Sequence, residues 1–184
     1  MQNLLRRALL ALCLLCFSLP GLRAEAATVA LLPLFNNAGN EDAGQIYFQC
    51  ALEKTKELGD FELVDNDRLN AAIDEVFAAE NIAAEVPGAA ALQKIAEQGG
   101  ADIVLIMQLD RLEDKVKHSS KVRMKKLDLR GRTAAYNALT GKAYNHSFKN
   151  DREIEVALTS RWDFKREEWG RTVRNEVERA LKAK

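Results

Sequence analysis

The chain has 184 residues, of which 47% are hydrophobic and 29% charged, and its 27 basic and 27 acidic side chains cancel to a formal net charge of zero. That balance excludes the strong basic excess of a nucleic-acid-binding domain. The length suits one domain with a core large enough to hold without disulfide staples.

The first 26 residues have the three parts of a secretory signal peptide. Arg6 and Arg7 form a positive start, Ala8–Leu19 is an apolar stretch broken only by Ser18, and Pro20-Gly21 ends it. Ala24-Glu25-Ala26 then places small residues where cleavage is expected. The apolar stretch is well short of the roughly 20 residues needed to cross a bilayer as a helix. Cys13 and Cys16 follow leucines in mid-stretch, so neither fits a lipidation site. The expectation is export to the periplasm or beyond, with residues 27–184 as a single soluble domain. Those residues carry 24 basic and 26 acidic side chains and one cysteine, Cys50. That cysteine lies among apolar neighbours, as a core residue does.

Thr28–Phe35 is almost continuously apolar, which predicts a strand buried on both faces of a parallel sheet. Asn36–Gly44 reads as a polar loop and Gln45–Leu58 as a helix stopped by Gly59. Phe61–Val64 is a short strand. One of Asp65, Asn66 and Asp67 then caps a helix with Leu69, Ile73, Val76 and Phe77 on one stripe. A broken connection containing Pro87-Gly88 leads to a helix around Leu92, Ile95 and Ala96 that ends at Gly99-Gly100.

Ile103–Leu109 predicts a central strand. After Asp110 the chain turns polar and basic, and Val122–Tyr136 reads as a long strand. The turn Leu139-Thr140-Gly141-Lys142 returns it into Ala143–Phe148. Asp151–Ser160 alternates like an edge strand. The last element is a helix from about Phe164 to Leu181, with Trp169, Val173, Val177 and Leu181 on a narrow stripe. Glu167, Glu168, Arg171, Arg174, Glu176, Glu178 and Arg179 are expected on its solvent side. Helical crossovers make the early strands parallel and the hairpin adds antiparallel ones. The fold class is mixed αβ, a mixed parallel/antiparallel sheet covered by helices.

Catalytic and metal-binding motifs are absent. Gly39–Gly44 has the glycine spacing of a phosphate loop but is followed by Gln45 and Ile46, not by lysine and a hydroxyl. His118 and His146 have no second ligand at metal spacing. Asp65 and Asp67 fit a helix cap better than a calcium loop. No nucleophile has a recognisable base partner, and nothing calls for a cofactor. Two features could mediate contact. Lys115–Arg132 holds eight basic residues against Asp128 alone, among them Lys121, Arg123 and Lys125. This is either a charge-protected edge or a surface for anionic lipid, glycan or an acidic partner. Trp162, Phe164 and Trp169 cluster near a helix start, for burial or as an interface anchor.

Several segments together resemble the envelope family that includes the TolB N-terminal domain, the periplasmic domain of the curli secretion channel and the lipoprotein activators of penicillin-binding proteins. They are Val29-Ala30-Leu31-Leu32-Pro33-Leu34, Phe61-Glu62-Leu63-Val64-Asp65 and Gly99-Gly100-Ala101-Asp102-Ile103-Val104-Leu105. The fourth is the hairpin Ala138-Leu139-Thr140-Gly141-Lys142-Ala143. They span nearly all of 28–182, in order. The resemblance implies a mixed αβ fold used for protein–protein contact in the periplasm, with no catalytic residues to carry over. The chain departs from it in lacking a lipidated cysteine, a propeller and the alternating segments of membrane hairpins. Those departures weigh against pore formation and against penicillin-binding-protein activation. The expectation is a non-enzymatic periplasmic adaptor that binds an envelope protein. The alternatives are a small-ligand binder or hydrolase using the loop after the first strand, and a self-associating component.

Overall fold

The structure is a computed structural model that describes residues 26–118, 122–157 and 163–183. Residues 1–25 of the predicted signal segment, Lys121, residues 158–160 of the predicted edge strand and Trp162 lie outside the described residues.

The first strand, β1 (Ala27–Leu31), stops earlier than its apolar run suggests. Pro33 has no N–H to give a ladder, and the chain re-enters the sheet only at β2 (Phe35–Asn36). Helix α1 (Ala43–Leu58) follows and ends on Gly59, which is left-handed at φ 74°. Next come β3 (Phe61–Val64) and α2 (Asp67–Glu80), whose cap is Asn66, its side chain accepting from the Leu69 N–H at 2.9 Å. Helix α3 (Ala89–Gly99) ends on a left-handed Gly100. Strands β4 (Ile103–His118), β5 (Val122–Asn137), β6 (Lys142–Asn150) and β7 (Glu153–Ala157) precede the last helix, α4 (Phe164–Lys182).

The strands make one mixed sheet in the order β3-β1-β4-β5-β6, with β2 beside β4 and β7 beside β5. β1 runs parallel to β3 and β4; the β4–β5, β5–β6 and β5–β7 pairs are antiparallel. The mixed αβ fold expected from the sequence is the fold found. Alternate residues of the central strands feed two layers. Val29, Leu105, Met107, Leu127 and Leu129 pack with Ile46, Tyr47, Trp169, Val173 and Val177 of α1 and α4. Ala30, Leu32, Val104 and Ile106 pack with Leu69, Ile73, Leu92 and Ile95 of α2 and α3. Burial from both sides is why these strands read as continuous apolar runs.

Two expectations need correction. The central strand does not end at Leu109. A register shift between Leu109 and Arg111 bends it, and it then pairs with β5 as far as His118. Ladder pairing overrides the polar composition there. The solvent side expected of α4 is also too broad, because Glu168 and Glu176 are buried, at 2% and 1% exposure. Among the described residues no helix is long and apolar enough to cross a membrane.

Candidate partner-binding surfaces

The second half of β4, the first half of β5, and β7 form a three-stranded arm whose two faces differ. Leu112, Leu127 and Leu129 point to the side of α4 and are buried, with Ile154 packed against them. The period of two therefore sends Arg111, Glu113, Lys115 and Lys117 of β4 to the opposite face. Lys126, Asp128 and Arg130 of β5, and Glu153 and Glu155 of β7, join them there. Among the described residues no helix covers this face, and apart from a half-buried Asp128 all of these charged residues are exposed.

Its charges form rows. Arg111 stands opposite Arg130, Glu113 opposite Asp128, and Lys115 opposite Lys126, which has Glu153 on its other side. Both arginines pair with Asp128, at 3.1 Å from Arg111 and 2.7 Å from Arg130. Both arginines hold the Asp128 carboxyl below its ordinary pKa against the opposing effect of desolvation. Lys115 and Lys126 form no ion pair within 4.0 Å among the described residues. They line a polar hollow of about 190 Å³ together with Asp128, Arg130 and Asp151. Like charges directly across a strand pair are destabilising. The Lys115–Lys126 pair is therefore a repulsive contact on the open face.

The residues singled out from the sequence fall elsewhere. Arg123 and Lys125 have the parity of Leu127, so they lie half-buried on the α4 side, where Lys125 approaches Asp114 at 4.0 Å. They are not part of the open face. Phe164 and Trp169 are wholly buried, and the Trp169 Nε1–H donates to the Ala43 carbonyl at 3.0 Å while its ring lies 6.2 Å from that of Phe148. As an exposed anchor this pair is ruled out: both side chains brace α4 against the sheet. The signal that finds the outward set is strand parity, with Leu127 and Leu129 fixing the inner face.

A second concave feature lies at the carboxyl ends of β1 and β3. The chain leaves β1 for α1 on one side of the sheet and leaves β3 for α2 on the other. The two crossovers leave a crevice between them at this end of the sheet. Leu31, Leu34, Phe48, Leu63, Leu69 and Ile73 are among its walls, Gly44 and Asp65 also border it, and its volume is about 470 Å³. The Tyr47 hydroxyl there donates to the Leu32 carbonyl at 3.2 Å, and burial raises its pKa well above that of a free tyrosine.

Between β6 and α4 the polar groups are structural. The Glu168 carboxylate accepts from Asn150 at 3.1 Å, from Arg152 at 2.7 Å and from Arg171. Glu176 meets His146 at 2.8 Å, Arg179 at 2.8 Å and the Tyr144 hydroxyl at 3.4 Å. Buried charges are paired in this way when they hold elements together. Burial pushes the Cys50 thiol up, the opposite of nucleophile activation. Among the described residues no three His, Cys, Asp or Glu side chains converge to hold a metal.

These features define a mixed αβ protein with an open-faced sheet arm and an apolar crevice. No family model and no curated protein matches the sequence. A hypothetical protein, CT253, of Chlamydia trachomatis has a similar structure, with a TM-score of 0.51 at 12% identity, covering 86% of this chain and 99% of that one. At that identity the likeness is of fold alone. Two others align more loosely, below the level at which a shared fold follows. Lipoprotein GNA1162 of Neisseria meningitidis has a TM-score of 0.42 at 12% identity, covering 83% of this chain and 98% of that one. The LpoB C-terminal domain of Salmonella enterica has a TM-score of 0.39 at 11% identity, covering 70% and 84%.

Proposed function

We propose that this chain is an exported, non-enzymatic protein of the bacterial envelope. Its residues 27–184 act in the periplasm as a protein-binding adaptor, and the arm's open face takes an acidic segment of the partner. The observation that carries the reading is the Lys115–Lys126 row beside its hollow. A partner carboxylate seated there relieves the like-charge pair and gains two charge-assisted hydrogen bonds. Edge protection accounts for Lys115, because among the described residues β4 has no strand on its other side beyond Leu109, but not for Lys126, because β5 lies between β4 and β7 there. The resemblance to envelope proteins that work by protein contact supports the same reading.

The test is capture from detergent-solubilised envelope by the immobilised wild type, beside a Lys115→Glu/Lys126→Glu variant and in rising salt. The expected result is a partner held by the wild type, released by salt and lost by the variant. Equal capture by both proteins removes the arm from the interface. Binding to phosphatidylglycerol vesicles with no protein captured replaces the acidic partner with a lipid surface.

A further inference from the structure

The crevice at the ends of β1 and β3 is not used by the arm. Its walls are aliphatic and aromatic, and Phe48 on its rim is 53% exposed, one of three large apolar side chains on the described surface. A volume of about 470 Å³ falls in the range of roughly 300–1,000 Å³ typical of small-ligand clefts. Among the described residues Asp65 is the only charged side chain of the lining, with Asn70 donating to its Oδ1 at 3.3 Å. Apolar walls with one carboxylate at the rim suit an apolar body that ends in a cation.

We propose that this crevice binds a cationic amphiphile, with its hydrocarbon between α1 and α2 and its positive head beside Asp65. Gly44 provides the means of blocking it. The residue borders the crevice, its φ is not left-handed, and a Cβ built there meets nothing within 4 Å. The Cβ of Gly44→Leu therefore has open space, its further carbons occupy the mouth of the crevice that Gly44 borders, and leucine is also the better helix former in the first turn of α1.

Calorimetric titration of the full chain would use three probes that share a twelve-carbon tail, each below its micelle concentration. They are dodecyltrimethylammonium, dodecyl sulfate and dodecyl maltoside. Dodecyltrimethylammonium is expected to bind most tightly, and Gly44→Leu to weaken it at least tenfold while its thermal midpoint is kept or raised. Asp65→Asn should weaken the cation by up to about fivefold, the size of an exposed ion pair, and leave the maltoside unchanged. Sulfate binding as tight as the cation, or full binding by Gly44→Leu, overturns the proposal. So does a dimer in sedimentation that Gly44→Leu dissociates, which would assign the crevice to Phe48 of a second copy.

Discussion

The Nδ1 of His146 lies 2.8 Å from the Glu176 carboxylate, joining β6 to α4, and the two partners are very unequally buried. The carboxylate is 2% exposed, whereas His146 is 39% and its other partner Arg179 58% exposed. Deleting the buried member leaves an imidazole and a guanidinium that water can reach. Deleting those two partners leaves a buried carboxylate with only the Tyr144 hydroxyl. Glu176→Ala is therefore expected to cost about 1–3 kcal/mol, and the His146→Ala/Arg179→Ala double variant about 3–5 kcal/mol. Urea unfolding at pH 7 measures both, and the reverse order would show that His146 and Arg179 do not hold this carboxylate.

Gly131 of β5 lies where a side chain has no room. A Cβ there overlaps the Gln108 carbonyl oxygen and the Phe148 ring at once. Gly131→Ala is expected to cost about 3 kcal/mol. Adding Phe148→Leu should recover little, because the carbonyl belongs to the backbone and cannot turn aside. A shift in thermal midpoint equivalent to less than about 1 kcal/mol would mean that the strands separate easily at this bend.

What the sequence made legible followed from period and punctuation. The two-sided burial of β1, the helix ended by Gly100 and the hairpin around Gly141 each leave a local mark. The second half of β4 leaves none, since Asp110–His118 is polar and becomes a strand only through its pairing with β5. The open face of the arm was half legible for the same reason. The basic run was visible, but which residues face out depends on a parity fixed by burial under α4. The buried Glu168 and Glu176 were missed because their partners, Arg152 and His146, come from β6 and the turn after it, and no helical spacing encodes them. The crevice needs the divergence of two crossovers and has no motif.

Trp169 separates a core role from an interface role. Truncation to alanine should cost about 3–5 kcal/mol, so any loss of partner capture by that variant follows from unfolding. Trp169→Phe keeps an aromatic ring but loses the hydrogen bond to the Ala43 carbonyl, at about 1 kcal/mol, and part of the buried ring volume, a cost smaller than that of truncation to alanine. It is expected to capture partner as the wild type does. Lost capture by a fully folded Trp169→Phe would return this residue to the interface.

Acid stability depends in part on the bridge between α1 and α4. Hydrogen bonds from Lys182 and Lys54 bring the Glu178 pKa down to about 2. Lys54 lies 2.7 Å from that carboxylate, and its own pKa is raised by the same contact. A carboxyl depressed in the folded state contributes stability above its unfolded pKa, and the contribution is lost as pH falls towards the folded value. Wild-type stability should therefore decline between about pH 4.5 and 2. Glu178→Gln should lose less over that window and be less stable at pH 7. Parallel urea midpoints for the two proteins across this range would show that the bridge is fully screened.

The open face of the arm predicts opposite effects on stability and on binding. Lys115 faces Lys126 across the strand pair, so Lys115→Glu turns a repulsive pair into an attractive one, worth about 0.2–1 kcal/mol. Lys126→Glu should gain less, because it sets a carboxylate opposite Glu153 of β7. If the Lys115–Lys126 row is kept for an acidic partner, Lys115→Glu is both more stable than the wild type and deficient in capture. Chemical denaturation and envelope capture on the same preparations measure the two effects. A variant that is stabilised but binds fully would leave the repulsive row without a role in the adaptor.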